Sequence, residues 1–155
     1  MDSIDKLILT QLQKDVTLPL SEIASRAGVS KTACWNRIRK LEEDNVITDK
    51  IAILNNSKIN LPIIIFLSLT VYSHTKEWIE KFSETVNKYD QIIEVYRITG
   101  HEIDYLLKIV SPSIEAYDEF QQTLIKEFEF KGMATKIVLK EIKKVHSLPL
   151  ENIVG

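Results

Sequence analysis

Between Ile23 and Leu41 stand five basic residues, Arg26, Lys31, Arg37, Arg39 and Lys40, and no acidic one. The whole chain carries a formal charge of −2, so this segment concentrates positive charge that the rest of the molecule offsets. Contacting a row of phosphates needs such a local concentration, because the gain comes from neutralised charges and released counterions. Lys31, Thr32, Trp35 and Asn36 offer donors, an acceptor and a flat ring, the side-chain types that meet base edges or a groove. Arg37, Arg39 and Lys40 suit phosphates, which position without specifying sequence. The plain alternative is a solvated helix face, with Trp35 divided between core and surface.

No second constellation offers chemistry. His74, His101 and His146 are far apart, and none has metal-ligand spacing. The four glycines, at 28, 100, 132 and 155, form no phosphate-cradling loop. Cys34 is the single cysteine, which excludes an intramolecular disulfide and a C-x-x-C metal pair; a small core residue is its expected role. The expectation is therefore a protein without catalytic residues, metal or cofactor.

The elements that must position the basic segment are three helices. Ile4, Leu7, Ile8 and Leu12 form an amphipathic stripe over residues 2–13. A second helix begins near Pro19 and carries Leu20, Ile23, Ala24 and Ala27 inward. Gly28 suits a left-handed helix stop, Val29 an inward contact, and Ser30 the cap of the next helix. Helix, glycine turn and capped helix in so few residues make a helix-turn-helix pattern. The third helix runs from about Lys31 to Asp44, with Cys34, Ile38 and Leu41 on its core face. Val46-Ile47 and Ile51-Ala52-Ile53-Leu54 flank Thr48-Asp49-Lys50 and predict a hairpin, the wing. A DNA-binding domain over 1–55 and a polar linker at 56–60 follow.

The remainder, 61–155, alternates strand and helix. Leu61–Tyr72 reads as a long strand apolar on both faces, which wants a cover on each side. A helix over Thr75–Tyr89, strands at Gln91–Thr99 and Ile103–Val110, a helix opened by Ser111-Pro112-Ser113, and a strand at Thr135–Ile142 complete the order. Strand, helix, strand, strand, helix, strand is the split βαβ, ferredoxin-like arrangement. The fold class is thus α+β, a winged helix-turn-helix followed by a ferredoxin-like βαββαβ domain. With 155 residues, 45% apolar and 27% charged, the chain is globular rather than disordered. Its longest apolar run, Leu61–Leu67, contains Pro62 and is too short to span a bilayer. A soluble, cytoplasmic and nucleoid-associated protein is expected.

With both halves placed, the chain resembles the Lrp/AsnC (feast/famine) transcriptional regulators over nearly its whole length. The resemblance rests on Ile4-Asp5-Lys6-Leu7-Ile8-Leu9 with Leu12-Gln13-Lys14-Asp15, and on Glu22-Ile23-Ala24 with Gly28-Val29-Ser30. Cys34, Arg37-Ile38, Leu41-Glu42 and Val46-Ile47 continue it, as do Thr99-Gly100, Asp104-Tyr105-Leu106-Leu107-Lys108 and Ala116-Tyr117. It implies a RAM-type second domain that forms dimers through its sheet, often assembled into tetramers or octamers. It also implies double-stranded DNA as partner, and an amino acid or related small metabolite as effector near Gly100. Carried over, Gly100 would meet a carboxylate through its backbone and Asp104 an amino group. Three residues separate them here, one more than the usual family spacing, which adds His101 and Glu102 as candidates. Two alternatives stay open. One is an architectural DNA-binding protein without effector; the other is an enzyme like the siroheme decarboxylases that share the family's pattern, for which Arg97 and His101 are the available residues.

Overall fold

The computed structural model describes residues 1–100 and 102–151; His101 and residues 152–155 lie outside the described residues. The chain forms two compact units, Met1–Ile53 with the tail from Ile142, and Leu54–Glu141. The tail attaches to the first unit through Gln13, whose side chain accepts the Leu148 N–H at 2.6 Å and donates to the Leu148 carbonyl at 3.2 Å.

In the first unit, α1 spans Ser3–Lys14, α2 Leu20–Ala27 and α3 Lys31–Glu43. Asp2 caps α1 reciprocally: its carboxylate accepts the Asp5 N–H and Asp5 accepts the Asp2 N–H, both at 2.9 Å. Gly28 adopts φ 70°, the left-handed conformation its lack of a Cβ permits. The Gly28 N–H then donates to the Ser25 carbonyl and the Val29 N–H to the Ala24 carbonyl, which closes α2. Two residues on, Ser30 Oγ accepts the Ala33 N–H at 3.2 Å and starts α3. Ile8, Ile23, Ala24, Ala27, Cys34 and Ile38 form the core beneath this turn, with Val29 and Ile47 packed against it. Burial pushes the Cys34 thiol up, so it stays protonated and acts as a small apolar side chain.

The wing differs from expectation. Residues 46–54 contain no strand ladder. Asn45 turns left-handed at φ 55°, and the N–H groups of Val46 and Ile47 both donate to the Leu41 carbonyl, at 2.9 and 3.0 Å. Those amides finish α3 and are unavailable to a hairpin. Ile51, Ile53 and Leu54 are consequently exposed.

The second unit opens with a short 3-10 turn, Asn56–Ile59, where the sequence suggested a plain linker. There follow β1 (Ile63–Thr70), α4 (Lys76–Val86), β2 (Ile92–Arg97), β3 (Tyr105–Ser111), α5 (Ile114–Glu127) and β4 (Gly132–Ile137). All pairings are antiparallel, in the order β2-β3-β1-β4. The register sets Ile65, Leu67 and Leu69 opposite Ile109, Leu107 and Tyr105. These pack against Phe82 of α4 and Tyr117, Phe120 and Leu124 of α5, so both helices lie on one face. The other face carries Ile64, Phe66 and Ser68 beside Leu106, Lys108 and Val110. Around that apolar strip, Lys108 Nζ contacts Glu94 Oε1 at 2.7 Å and Lys136 Nζ donates to Ser68 Oγ at 3.0 Å. β4 begins at Gly132 rather than Thr135 and ends at Ile137, paired with Ile65 of β1, rather than at Ile142.

Candidate nucleic-acid interface and effector loop

The helical period sorts α3 into faces. Cys34, Ile38 and Leu41 are buried, and the opposite side exposes Lys31, Thr32, Asn36, Arg39 and Lys40. Lys31 and Thr32 lie in the first turn, immediately after the Ser30 cap, which fixes their direction. Lys31 and Lys40 make no ion pair among the described residues, so their charges face solvent. Trp35 lies at the edge of this face, 48% exposed. The Arg39 guanidinium sits 5.3 Å from its ring centroid and also reaches Glu43 at 3.3 Å. Trp35 is therefore neither a core residue nor freely swinging.

The basic run is less positive in three dimensions than in sequence. Arg26 pairs with Glu22 one turn away and donates to Gln11 at 2.7 Å. Arg37 turns away from the exposed face: Nη1 lies 2.7 Å from both Asp2 and Asp5 at the start of α1. That carboxylate pair holds the Arg37 guanidinium pKa above its ordinary value. Reciprocally, the Asp5 amide first, and Arg37 second, hold the Asp2 carboxyl below the usual carboxylate range. Arg37 thus clamps α1 to α3. The Asp2-x-x-Asp5 spacing was the only sequence signal for this clamp, since its third member is 32 residues beyond Asp5.

In the second unit the candidate effector residues occupy the connection from β2 to β3. Gly100 is exposed, and a Cβ there would meet nothing within 4 Å; among the described residues of this loop, the one with left-handed backbone is Glu102, at φ 65°. His101 lies outside the described residues. Asp104 is tied on every side. Its N–H donates to the Leu69 carbonyl at 2.8 Å, and its carbonyl accepts the Ile98 N–H at 3.0 Å. Its Oδ2 accepts the Val71 N–H at 2.8 Å, and its Oδ1 lies 3.2 Å from His74 Nε2. The Val71 amide is the main reason its carboxyl sits below the ordinary carboxylate value, with His74 adding to it. Thr70 Oγ1 donates to the Glu102 carbonyl and pins the loop's middle. Sequence reasoning missed Thr70 and His74, which stand more than 25 residues before the loop they hold. The structure brings together Glu102 and Asp104 of the expected set.

Among the described residues no group of histidine, cysteine and carboxylate side chains could hold a metal ion, and no helix is long and apolar enough to cross a membrane.

Comparison with known proteins fits both halves. Residues 1–42 match the AsnC-type helix-turn-helix domain and residues 64–148 the Lrp/AsnC ligand binding domain. The chain is 36% identical over 150 residues to the glutamate uptake regulatory protein of Zymomonas mobilis, covering 97% of this chain and 91% of that protein. It is 31% identical over 152 residues to the DNA-binding transcriptional activator DecR of Escherichia coli, covering 97% and 99%. Among solved structures, an AsnC family transcriptional regulator from Agrobacterium tumefaciens superposes with TM-score 0.93 at 39% identity, over 99% of this chain and 100% of that one. A transcriptional regulator from Neisseria meningitidis, solved as a complex with L-Met, gives 0.91 at 30% identity, over 97% of each chain. An N-terminal helix-turn-helix joined to a ligand-binding domain of ferredoxin-like order makes this chain a member of the Lrp/AsnC family of transcriptional regulators.

Proposed function

We propose that this regulator binds specific DNA sites by laying α3 in the major groove, and that an amino acid or related metabolite bound at the β2–β3 loop modulates it. The observation that carries the DNA reading is the outer face of α3. A Ser30-capped first turn points Lys31 and Thr32 outward, Asn36 lies one turn on, and Lys40 continues the same side. Residues at the N-terminal end of a recognition helix are those that reach base edges, and Asn is a bidentate reader of adenine. Trp35, with Arg39 over its ring, borders that row and meets the sugar-phosphate wall or a thymine methyl. Arg39 and Lys40 contact phosphates. Arg37, expected to do the same, acts instead as the clamp between α1 and α3.

The sheet face bearing Ile64, Phe66, Leu106 and Val110 supports self-association. Two copies joined through it present two α3 helices to a pseudo-palindromic site, the geometry that helix-turn-helix dimers use. Tetramers or octamers built from such dimers would multiply the contacts. The effector reading draws on the match to a ligand-binding domain and on the methionine complex of the Neisseria relative. Gly100, His101, Glu102 and Asp104 remain its candidate residues. The relatives are transcriptional regulators, and regulation without catalysis, in the cytoplasm and on the nucleoid, is the corresponding proposal.

Selection of bound sequences from a random DNA pool, with and without a mixture of amino acids, tests both halves. Enrichment of a pseudo-palindrome is expected, and its yield should change with the amino acids. Binding without sequence preference at low salt would overturn the specific-regulator reading in favour of an architectural protein.

A further inference from the structure

We propose that His74 is a positioning residue of the effector loop, holding Asp104 Oδ1 in the free protein and yielding that oxygen to the ammonium group of an amino-acid effector. This rests on the effector reading above. The two oxygens of Asp104 are not equivalent. Oδ2 accepts the Val71 N–H at 2.8 Å, a backbone bond at the exit of β1 that anchors the carboxylate. Oδ1 meets His74 Nε2 at 3.2 Å, longer than a tight charge-assisted contact of about 2.7–2.9 Å. Both side chains are about a third exposed, 31% and 28%, so an incoming ligand can reach the pair.

His74 Nδ1 lies 3.3 Å from the Tyr105 hydroxyl, and the two rings are tilted at 5.8 Å. One tautomer satisfies both contacts: Nε2–H donates to Asp104 and Nδ1 accepts the Tyr105 proton. A neutral imidazole then holds a carboxylate with a single long bond. An ammonium cation in its place makes a charge-assisted bond, roughly twice as strong. The exchange forms and breaks hydrogen bonds only.

The same geometry makes the competition depend on pH. A protonated imidazole is itself a cation and competes with the ammonium on equal electrostatic terms. The other groups nearby are Tyr105, Arg97, which acts on the same carboxylate, and Glu102, whose carbonyl Thr70 holds. On α4, Lys76 faces Glu80 at 3.7 Å. A protonated His74 would therefore weaken the effector's hold on Asp104, and a side chain that takes no proton would not.

The test uses the full-length protein and His74→Gln, which keeps an N–H donor but does not titrate. Calorimetry with each L-amino acid, L-methionine included, is run at about pH 5 and about pH 8, and the His74 imidazole is followed by NMR. The expected result is an amino acid whose affinity for the wild type weakens several-fold at the lower pH while His74→Gln binds it equally at both. The His74 ring signals should shift on binding. An amino acid that binds both proteins with the same pH profile leaves the effector reading standing and overturns the role of His74. Absence of any binding overturns the effector reading and this inference with it.

Discussion

The outer face of α3 and the β2–β3 loop are both surface sites, yet they are built in opposite ways. On α3 every proposed contact residue is placed by helix geometry within a dozen positions, and the Ser30 cap and Gly28 stop that aim it are neighbours in sequence. In the loop, position comes from elsewhere: Leu69, Thr70, Val71 and His74 hold Glu102 and Asp104 across more than 25 residues. A site on a helix inherits that helix's rigidity. A site on a loop is as firm as its tertiary ties, which suits the effector role proposed for it.

The largest test of that difference removes the support under the loop. Leu69 is fully buried, and its carbonyl receives the Asp104 N–H. Leu69→Ala should cost about 2–5 kcal/mol of unfolding free energy, read by urea denaturation. Amides 98–104 should also exchange faster with deuterium, while those of α3 should not. Equal loosening of both would show that the loop has no special dependence on β1.

On the helix side the expected effects are smaller and fall on binding. Asn36→Ala should leave α3 folded and weaken specific DNA binding by about 1–3 kcal/mol, with relaxed preference at one base pair. Lys31→Ala should lower the slope of log affinity against log salt if Lys31 touches a phosphate, and change sequence preference if it touches a base. Fluorescence anisotropy over a salt series separates these outcomes. Ser30→Ala, which removes the cap alone, should cost about 1 kcal/mol of stability.

What could be read from the sequence followed the same division. The three helices, the Gly28 stop, the Ser30 cap and the strand order were visible because period and local capping determine them. The wing was misread because two short apolar runs around a polar turn resemble a hairpin. Whether their amides pair with each other or return to the Leu41 carbonyl depends on the left-handed turn at Asn45, which alternation does not encode. Trp35 stayed ambiguous because it sits on the border between faces, where one-dimensional patterns have least power. The loop ties were illegible for a simpler reason: an isolated His74 gives no sign of which carboxylate it will meet.

Arg37 is where the two kinds of site meet, and its test has the smallest expected effect. It lies on the helix, in the basic run, but it is held by long-range ties to Asp2 and Asp5. Because the folded Asp2 carboxyl sits below its ordinary value of about 3.9, its contribution to stability is present above that value. It is lost as the pH falls through the lower, folded pKa. Asp2 is half exposed and Arg37 a third exposed, with Asp5 the one mostly covered, so solvent screening keeps the gain modest. Arg37→Gln should lower the melting temperature slightly near neutral pH, and the difference from wild type should shrink in acid. The salt slope of DNA binding should not change, since the guanidinium already has its anions. A fall in that slope comparable to that of a phosphate-contacting lysine would mean that DNA pulls Arg37 off its clamp, and that α3 borrows its last positive charge from a tertiary tie after all.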